Sequence, residues 1–347
     1  MAVHIKLLDD RRRQAWDRFV VEDCPEATFF HRSGWKTVIE AAFKQQCSYL
    51  YAEREGQIVG VLPLVHVKSP VFGDRLISTA FTIGGGTAAI DPEAHAALDA
   101  EAVRLMDHLG VGCLELRRPP RSHIGDGWRA KSGIYANFSR PIAPDEVDCL
   151  KEIPRKQRAV VRKAIDAGEL ADAVETNPSR FFPLYALSMR NMGTPVFGRR
   201  FFTSLMREFA GVCDCLTVSH QAVAVASVLN FYFRDKVMPY YTGCLPEARD
   251  LGANDFMYWR LMRRSVDRGF TVFDFGRSKL GTGPFSFKKN WGFEAQSIVH
   301  EYRVKGGGEP PEINPLNPKY RLFVKAWKRL PLGVANILGP QVVRQIG

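Results

Sequence analysis

The alternation of apolar and polar positions sets out one order of elements twice. In the first pass, Cys47–Glu53 reads as a strand and ends in a turn at Glu55-Gly56-Gln57. A second apolar run, Ile58–Val67, leads to the turn residues Pro70, Gly73 and Asp74, and a third run spans Leu76–Ile83. Short apolar runs bounded by such residues are the pattern of hairpin-linked strands. After Gly84–Gly86 the period lengthens to that of a helix over Glu93–Leu109, and a short strand, Cys113–Arg117, closes the pass. The second pass repeats it: strands at Cys215–Ser219, Val223–Phe233 and Val237–Thr242, a loop over Gly243–Gly252, a helix at Ala253–Arg268 and a strand at Val272–Phe275. A repeated order supports each copy through the other. It predicts an α+β chain of two mixed sheets with flanking helices. We place the first subdomain at 1–150, the second at 151–312 including a basic linker helix, and a basic helical tail at 313–347.

Composition narrows the class. The chain has 347 residues, 46% hydrophobic and 24% charged, the profile of a soluble globular protein. The charged N-terminus lacks the apolar core of a signal peptide. The most apolar stretch, Val212–Phe233, is broken by Asp214, His220, Gln221 and Asn230, so no membrane span is expected. Seven scattered cysteines with no matching histidine cluster predict reduced thiols and no metal site. These features predict a cytoplasmic protein.

The net charge is +11, unevenly spread. Residues 1–150 hold 18 basic and 20 acidic residues, net −2, whereas 151–347 hold 30 and 17, net +13. That surplus favours phosphate-bearing or anionic partners. Part of it lies in the segment Lys151–Lys163, where Lys151, Arg155, Lys156, Arg158, Arg162 and Lys163 stand against Glu152 alone. Pro154 is expected at the first helical position, with Arg155, Arg158 and Arg162 on one face. Arg155 and Lys156 are candidate phosphate ligands. A second part falls in the tail, which has no acidic residue after Glu312. There Tyr320, Phe323, Val324 and Trp327 share a face flanked by Lys319, Arg321, Lys325, Lys328 and Arg329, a basic amphipathic helix suited to an anionic membrane over 318–330.

The densest candidate chemistry lies in Phe273–Phe293, FDFGRSKLGTGPFSFKKNWGF. Its glycines allow close backbone approach, and Arg277, Lys279, Lys288 and Lys289 supply charge to an oxyanion or phosphate. The run lacks the lysine of a P-loop, which excludes the nucleotide-triphosphatase pattern. Arg249-Asp-Leu-Gly252-Ala-Asn254 precedes the second central helix and is a degenerate form of a pyrophosphate-holding turn. The aromatic candidates taken with these segments are Trp35, Tyr240, Tyr241, Tyr258, Trp259 and Trp291. Tyr240 and Tyr241 should point to opposite faces of a strand, unless it bulges. Candidate bases are Asp274, Glu115 and His31.

The β-β-β-α-β order is that of the GNAT acyltransferase fold. The chain further resembles the FemAB-like branch of that superfamily, and within it the FemAB-family proteins associated with exosortase/PEP-CTERM systems. The resemblance rests on ATFFHRSGW (Ala27–Trp35), EIPRKQRAVVRKA (Glu152–Ala164), GTPVF (Gly193–Phe197), DFGRSKLGTGPFSFKKNWGF (Asp274–Phe293) and NPLNPKYRLFVKAWKRLPLGVANILGP (Asn314–Pro340). It implies two GNAT-like subdomains. Fem transferases move an amino acid from aminoacyl-tRNA onto a peptidoglycan precursor peptide, with a Phe-Lys step beside the reacting centre. The matching residues are Phe287 and Lys288, where Lys288 would stabilise developing negative charge or a carrier phosphate.

The expected function is therefore N- or O-acyl or aminoacyl transfer to a cell-envelope or exopolysaccharide precursor. The donor would be acyl-CoA, acyl carrier protein or aminoacyl-tRNA, with no permanently bound cofactor. Lys288, Phe287 and Asp274 are the catalytic candidates. Arg155, Lys156, Arg277, Lys279, Tyr240, Tyr241 and Trp35 are the binding candidates. The expected partner is a phosphate-bearing envelope precursor, with a peripheral contact at the inner face of a membrane and no long nucleic acid besides tRNA. The alternative is a non-catalytic protein of the same fold that binds a membrane surface or a phosphate ligand.

Overall fold

The computed structural model describes residues 2–70, 73–117, 123, 125, 127–310 and 318–347, the stretch 318–321 by its backbone alone. The chain divides into two compact units. One comprises 1–134, 298–314 and 341–347, and the other 135–297 and 315–340.

The first unit is built on β1 (Gln46–Arg54), β2 (Gln57–Val67), β3 (Arg75–Ser78), α1 (Pro92–His108) and β4 (Cys113–Arg117). β1 and β2 pair antiparallel across a tight turn in which Glu55 (φ 52°) and Gly56 (φ 77°) are left-handed. β3 runs antiparallel to β2 and parallel to β4. The third apolar run makes a shorter strand than expected, because Thr79 (φ 43°) and Phe81 (φ 66°) leave the extended region and end it. Asp91 caps α1 by accepting from the Ala94 N–H, and Ala94, Leu98, Ala102 and Met106 form the helix face turned to the sheet.

The second unit holds β5 (Tyr135–Pro141), α2 (Arg155–Ala167), β6 (Leu170–Glu175), α3 (Phe181–Met192), α4 (Arg199–Glu208), β7 (Cys213–His220), β8 (Val223–Phe233), β9 (Lys236–Cys244), α5 (Ala253–Asp267), β10 (Val272–Lys279) and α6 (Gly283–Asn290). Two further helices follow, α7 (Pro318–Trp327) and α8 (Leu332–Val343), the latter counted here to Pro340. The sheet order is a strand at Gln296–Ser297, then β5, β10, β9, β8, β7 and β6. β9 and β10 are parallel and the other pairs antiparallel. β7, β8, β9, α5 and β10 thus repeat the order of β1, β2, β3, α1 and β4, down to the parallel pair formed across the helix.

The observed boundaries differ from 150/151 and 312/313, for a reason of strand pairing. β5 lies before residue 150 yet pairs with β10. The strand His300–Val304 lies after the second pass yet pairs with β4, from His300↔Arg117 to Val304↔Cys113. Pro154 also sits one position earlier than expected, capping α2 rather than opening it.

The helices of the second unit are fixed by close contacts. A Cβ on Gly243 would lie 2.2 Å from the Tyr185 nitrogen, so α3 presses directly on β9. The GTPVF stretch carries α7 and α8: a Cβ on Gly193 would meet Val324 at 2.6 Å, and one on Gly339 would meet Val196 at 2.7 Å. No disulfide joins the seven cysteines, all of them described.

Candidate functional site

The parallel strands β9 and β10 pair only at Lys236↔Val272 and Val237↔Phe273. Past that point each is bulged. Across β8, Leu229 faces Tyr241 and Asn230 faces Pro239, so Tyr240 is the extra residue. Across β5, Asp274 faces Ser139 and Gly276 faces Phe138, so Phe275 is the extra residue. A bulge breaks the alternation of the ladder and re-aims side chains and carbonyls. Two bulges beside a split between parallel strands make an irregular, polar place in the middle of a sheet.

Lys288, on α6, closes this place. Its ammonium donates to the carbonyl oxygens of Phe275 (2.6 Å), Gly276 (3.1 Å) and Arg277 (3.1 Å). Three consecutive carbonyls left by the bulge thus receive the three protons of one ammonium. The Nζ also lies over the rings of Phe138 and Phe275 at 5.6 and 5.8 Å. Burial pulls the Lys288 ammonium down to about 7, Asp274 opposing and Arg277 assisting. Lys288 is therefore a half-buried cation that takes little free energy to discharge near neutrality. Asp274 fastens the same bulge, since its Oδ1 accepts from the Gly276 N–H at 2.8 Å and from Asn137 Nδ2 at 3.2 Å. Through that oxygen the carboxylate shapes the strand. Phe287 packs among Tyr258, Phe275 and Trp291 at 5.6 to 6.3 Å between ring centroids.

The bulge also decides the fate of the two tyrosines. The rings of Tyr240 and Tyr241 lie 4.7 Å apart, on one side of the strand and not on opposite faces. Tyr241 is enclosed by Tyr185, Phe197, Phe201 and Phe202. Burial pushes its phenol well up, with Tyr240 and Tyr185 adding and Arg277 opposing. Its hydroxyl is buried with no hydrogen-bond partner among the described residues. Arg277 stacks its guanidinium over Tyr135 at 4.3 Å. Arg277 links the two sides of the split, acting electrostatically on Tyr241 and offering its carbonyl to Lys288, and Lys279 ends the same strand.

The start of α5 is covered at its glycine. A Cβ on Gly252 (φ 64°) would meet Val160 at 3.1 Å and Ala164 at 3.5 Å, so α2 packs on that residue, while Arg249 and Asp250 before it are exposed. Asp255, in the first turn, accepts from Trp291 Nε1 at 2.9 Å and from Gln157 Nε2. Burial raises the Asp255 carboxyl, while these two bonds oppose the shift. The helix end thus has a carboxylate of its own where an outside pyrophosphate was expected. α2 shapes this end through Gln157, Val161 and Ala164, which face inward at i, i+4 and i+7. Gln157 was legible as the one uncharged polar residue on that face.

Arg155 and Lys156 are exposed on the first turn of α2, and a Cβ on Gly292 would meet Pro154 before them at 3.1 Å. Three candidates fall outside this site, in the first unit. Trp35 is 1% exposed and packs on Phe29 and Phe30, a core position. His31 Nδ1 accepts from the Thr28 N–H at 3.0 Å and Nε2 bonds Gly86 O at 2.9 Å, which fixes the ring as a loop brace. Glu115 is buried among Arg117, Arg75 and His300. Burial works to raise its carboxyl, but these three groups outweigh it and hold the carboxyl well below the usual range, so it is no base near neutrality. Among the described residues no group of three or more His, Cys, Asp or Glu converges as a metal site.

Residues 155–289 match the family model described as an acetyltransferase (GNAT) domain. No curated protein matches the sequence. Among solved structures, one described as FemX is similar at TM-score 0.65 and 16% identity, covering 85% of this chain and 96% of that one. The structure of L-PGS from Bacillus licheniformis is similar at TM-score 0.54 and 15% identity, covering 93% and 97%. A tandem GNAT protein from the clavulanic acid biosynthesis pathway is similar at TM-score 0.53 and 13% identity, covering 89% and 100%. The split parallel strands, the repeated strand order and these likenesses agree that the chain carries a duplicated GNAT-like fold of two mixed sheets with flanking helices.

Proposed function

We propose that the second unit is an acyltransferase, moving an acyl or aminoacyl group to an amine or hydroxyl of a phosphate-bearing cell-envelope or exopolysaccharide precursor. The observation that carries this reading is the β9–β10 split, bulged on both sides and held by Lys288. In the transfer, the acceptor nitrogen or oxygen forms a bond to the acyl carbon, the carrier leaves, and the acceptor's proton departs with the carrier or to solvent. Negative charge develops on the acyl oxygen meanwhile, and a preorganised cation beside it is the largest help a site gives. Lys288 supplies positive charge there through space, its three protons being held by backbone carbonyls. Its bonds to Phe275, Gly276 and Arg277 make it a positioning residue as well, since they set the course of β10 and so the place of Arg277. Arg277, Lys279, Arg155 and Lys156 supply positive charge for phosphates of donor or acceptor, and Tyr240 and Tyr241 line the site.

The packing of α2 on Gly252 and the Asp255 carboxylate in the first turn of α5 argue against a coenzyme A pyrophosphate at that helix end. They favour a carrier-borne donor, acyl carrier protein or aminoacyl-tRNA, whose phosphates meet the exposed face of α2. Thermal shift tests the choice, because a ligand at 100 times its dissociation constant stabilises by about 2.7 kcal/mol. Acyl carrier protein or aminoacyl-tRNA is expected to raise the melting point and coenzyme A to leave it unchanged. A shift with acyl-CoA alone would reverse the donor assignment. No shift with any donor or with a UDP-linked precursor would favour the non-catalytic alternative.

A further inference from the structure

We propose that the outer faces of α7 and α8 form a docking surface for an anionic lipid bilayer. One side of each helix belongs to the body of the second unit: Trp327 and Ala335 are buried, Val324 packs at Gly193 and Pro340 at Gly198. The opposite sides carry large apolar residues into solvent. Leu322 is 78% exposed and Ile337 72%, Val334 and Leu338 lie at 40 and 45%, and Phe323, 40% exposed, packs on Trp327 at the edge of the buried side. Val334, Ile337 and Leu338 share one helix face at i, i+3 and i+4. Single exposed apolar residues are ordinary, but five within seventeen positions of one helix pair are not.

Charge names the occupant. Lys319, Arg321, Lys325, Lys328 and Arg329 accompany these residues, and no acidic residue follows Glu312. Lys325, Lys328 and Arg329 are exposed and have no ion-pair partner among the described residues. A second copy of this chain would bring the same cations to the interface and repel it. A nucleic acid would match the cations but leave Leu322 and Ile337 in water. An anionic bilayer meets both needs at once: apolar side chains enter the acyl boundary while lysine and arginine meet the headgroups. No described helix is long and apolar enough to cross a membrane, so the contact is one of lying on the surface. The surface uses none of the residues around the β9–β10 split and stands independently of the acyl-transfer reading.

The test is sedimentation of the full chain with vesicles of phosphatidylcholine, alone or with about 30% phosphatidylglycerol as the anionic lipid. Binding is expected only with the anionic lipid, and it should weaken with salt. Replacing Lys325, Lys328 and Arg329 together by Gln should weaken it roughly 100-fold, at about a factor of five per charge. Ile337→Asp and Leu322→Asp should each weaken binding while leaving the melting point unchanged, because both sites are solvent-facing. No binding to anionic vesicles, equal binding to both vesicle types, or binding that survives all these variants would overturn the proposal. So would a dimer in vesicle-free solution that Ile337→Asp dissolves, which would make this face a protein interface.

Discussion

Lys288 spends its three protons on three neighbouring carbonyls, and that fact governs what its loss should do. Lys288→Met keeps the length of the side chain but leaves those carbonyls without a donor, which should cost roughly 1–3 kcal/mol in urea unfolding of the second unit. The ammonium is drawn down to about 7, so activity that needs the charge should fall as pH rises through about 7. Lys288→Arg, charged throughout, should move that falling limb upward, whereas a purely structural role would leave the limb in place. His123 shows the opposite shift in the first unit. It bridges Asp99 at 2.7 Å and Glu301 at 2.5 Å; burial works against its charge, but these bonds outweigh it and raise the imidazolium from 6.5 to about 9. A raised folded-state value means stability fully present below 6.5 and lost as pH climbs through about 9. The stability difference between wild type and His123→Gln should therefore shrink across that window. A constant difference would show that the bridge carries no linked proton. Lys288 and Phe287 were legible as a motif, but the carbonyls that Lys288 serves were not, because a bulge leaves no mark in one strand's residues.

The elements followed the sequence where one strand or helix decides its own limits. β8 spans Val223–Phe233 and β4 spans Cys113–Arg117, both as the apolar pattern predicts. Prediction failed where a partner decides. The pair Tyr240-Tyr241 alternates in sequence, yet the shift between Leu229 and Asn230 brings both rings to one side. The packing of α2 on Gly252 at the start of α5, a contact between segments far apart in the chain, leaves no mark in the turn's own residues. Two glycines give checks at this scale. Gly243→Ala would drive a methyl into the backbone of α3, with Leu184 C at 2.3 Å, and should destabilise the second unit by more than about 3 kcal/mol. Gly252→Ala meets a side chain at 3.1 Å and a left-handed φ of 64°, and should cost only about 1–2 kcal/mol. Equal melting points for the two variants would contradict this packing of helix on strand.

For the whole molecule, the duplication was legible because each copy carries its own strand-and-turn pattern. The division of the chain was less so, since β5 and the strand His300–Val304 each pair with a sheet on the far side of the expected boundary. The surplus of charge in the later part of the chain falls partly on α2 and its start, the segment around Lys288 and the α7–α8 pair. The central claim is that the second unit transfers acyl groups at the β9–β10 split. It is tested most directly by mixing the protein with aminoacyl-tRNA, acyl carrier protein or acyl-CoA carrying a labelled acyl group, together with UDP-linked and lipid-linked envelope precursors, and weighing the products. The account predicts a precursor heavier by one acyl group, formed by the wild type and at least about 100-fold more slowly by folded Arg277→Ala and Lys288→Met. A folded wild-type protein that labels no precursor from any of the three donors, or variants as fast as the wild type, would contradict it.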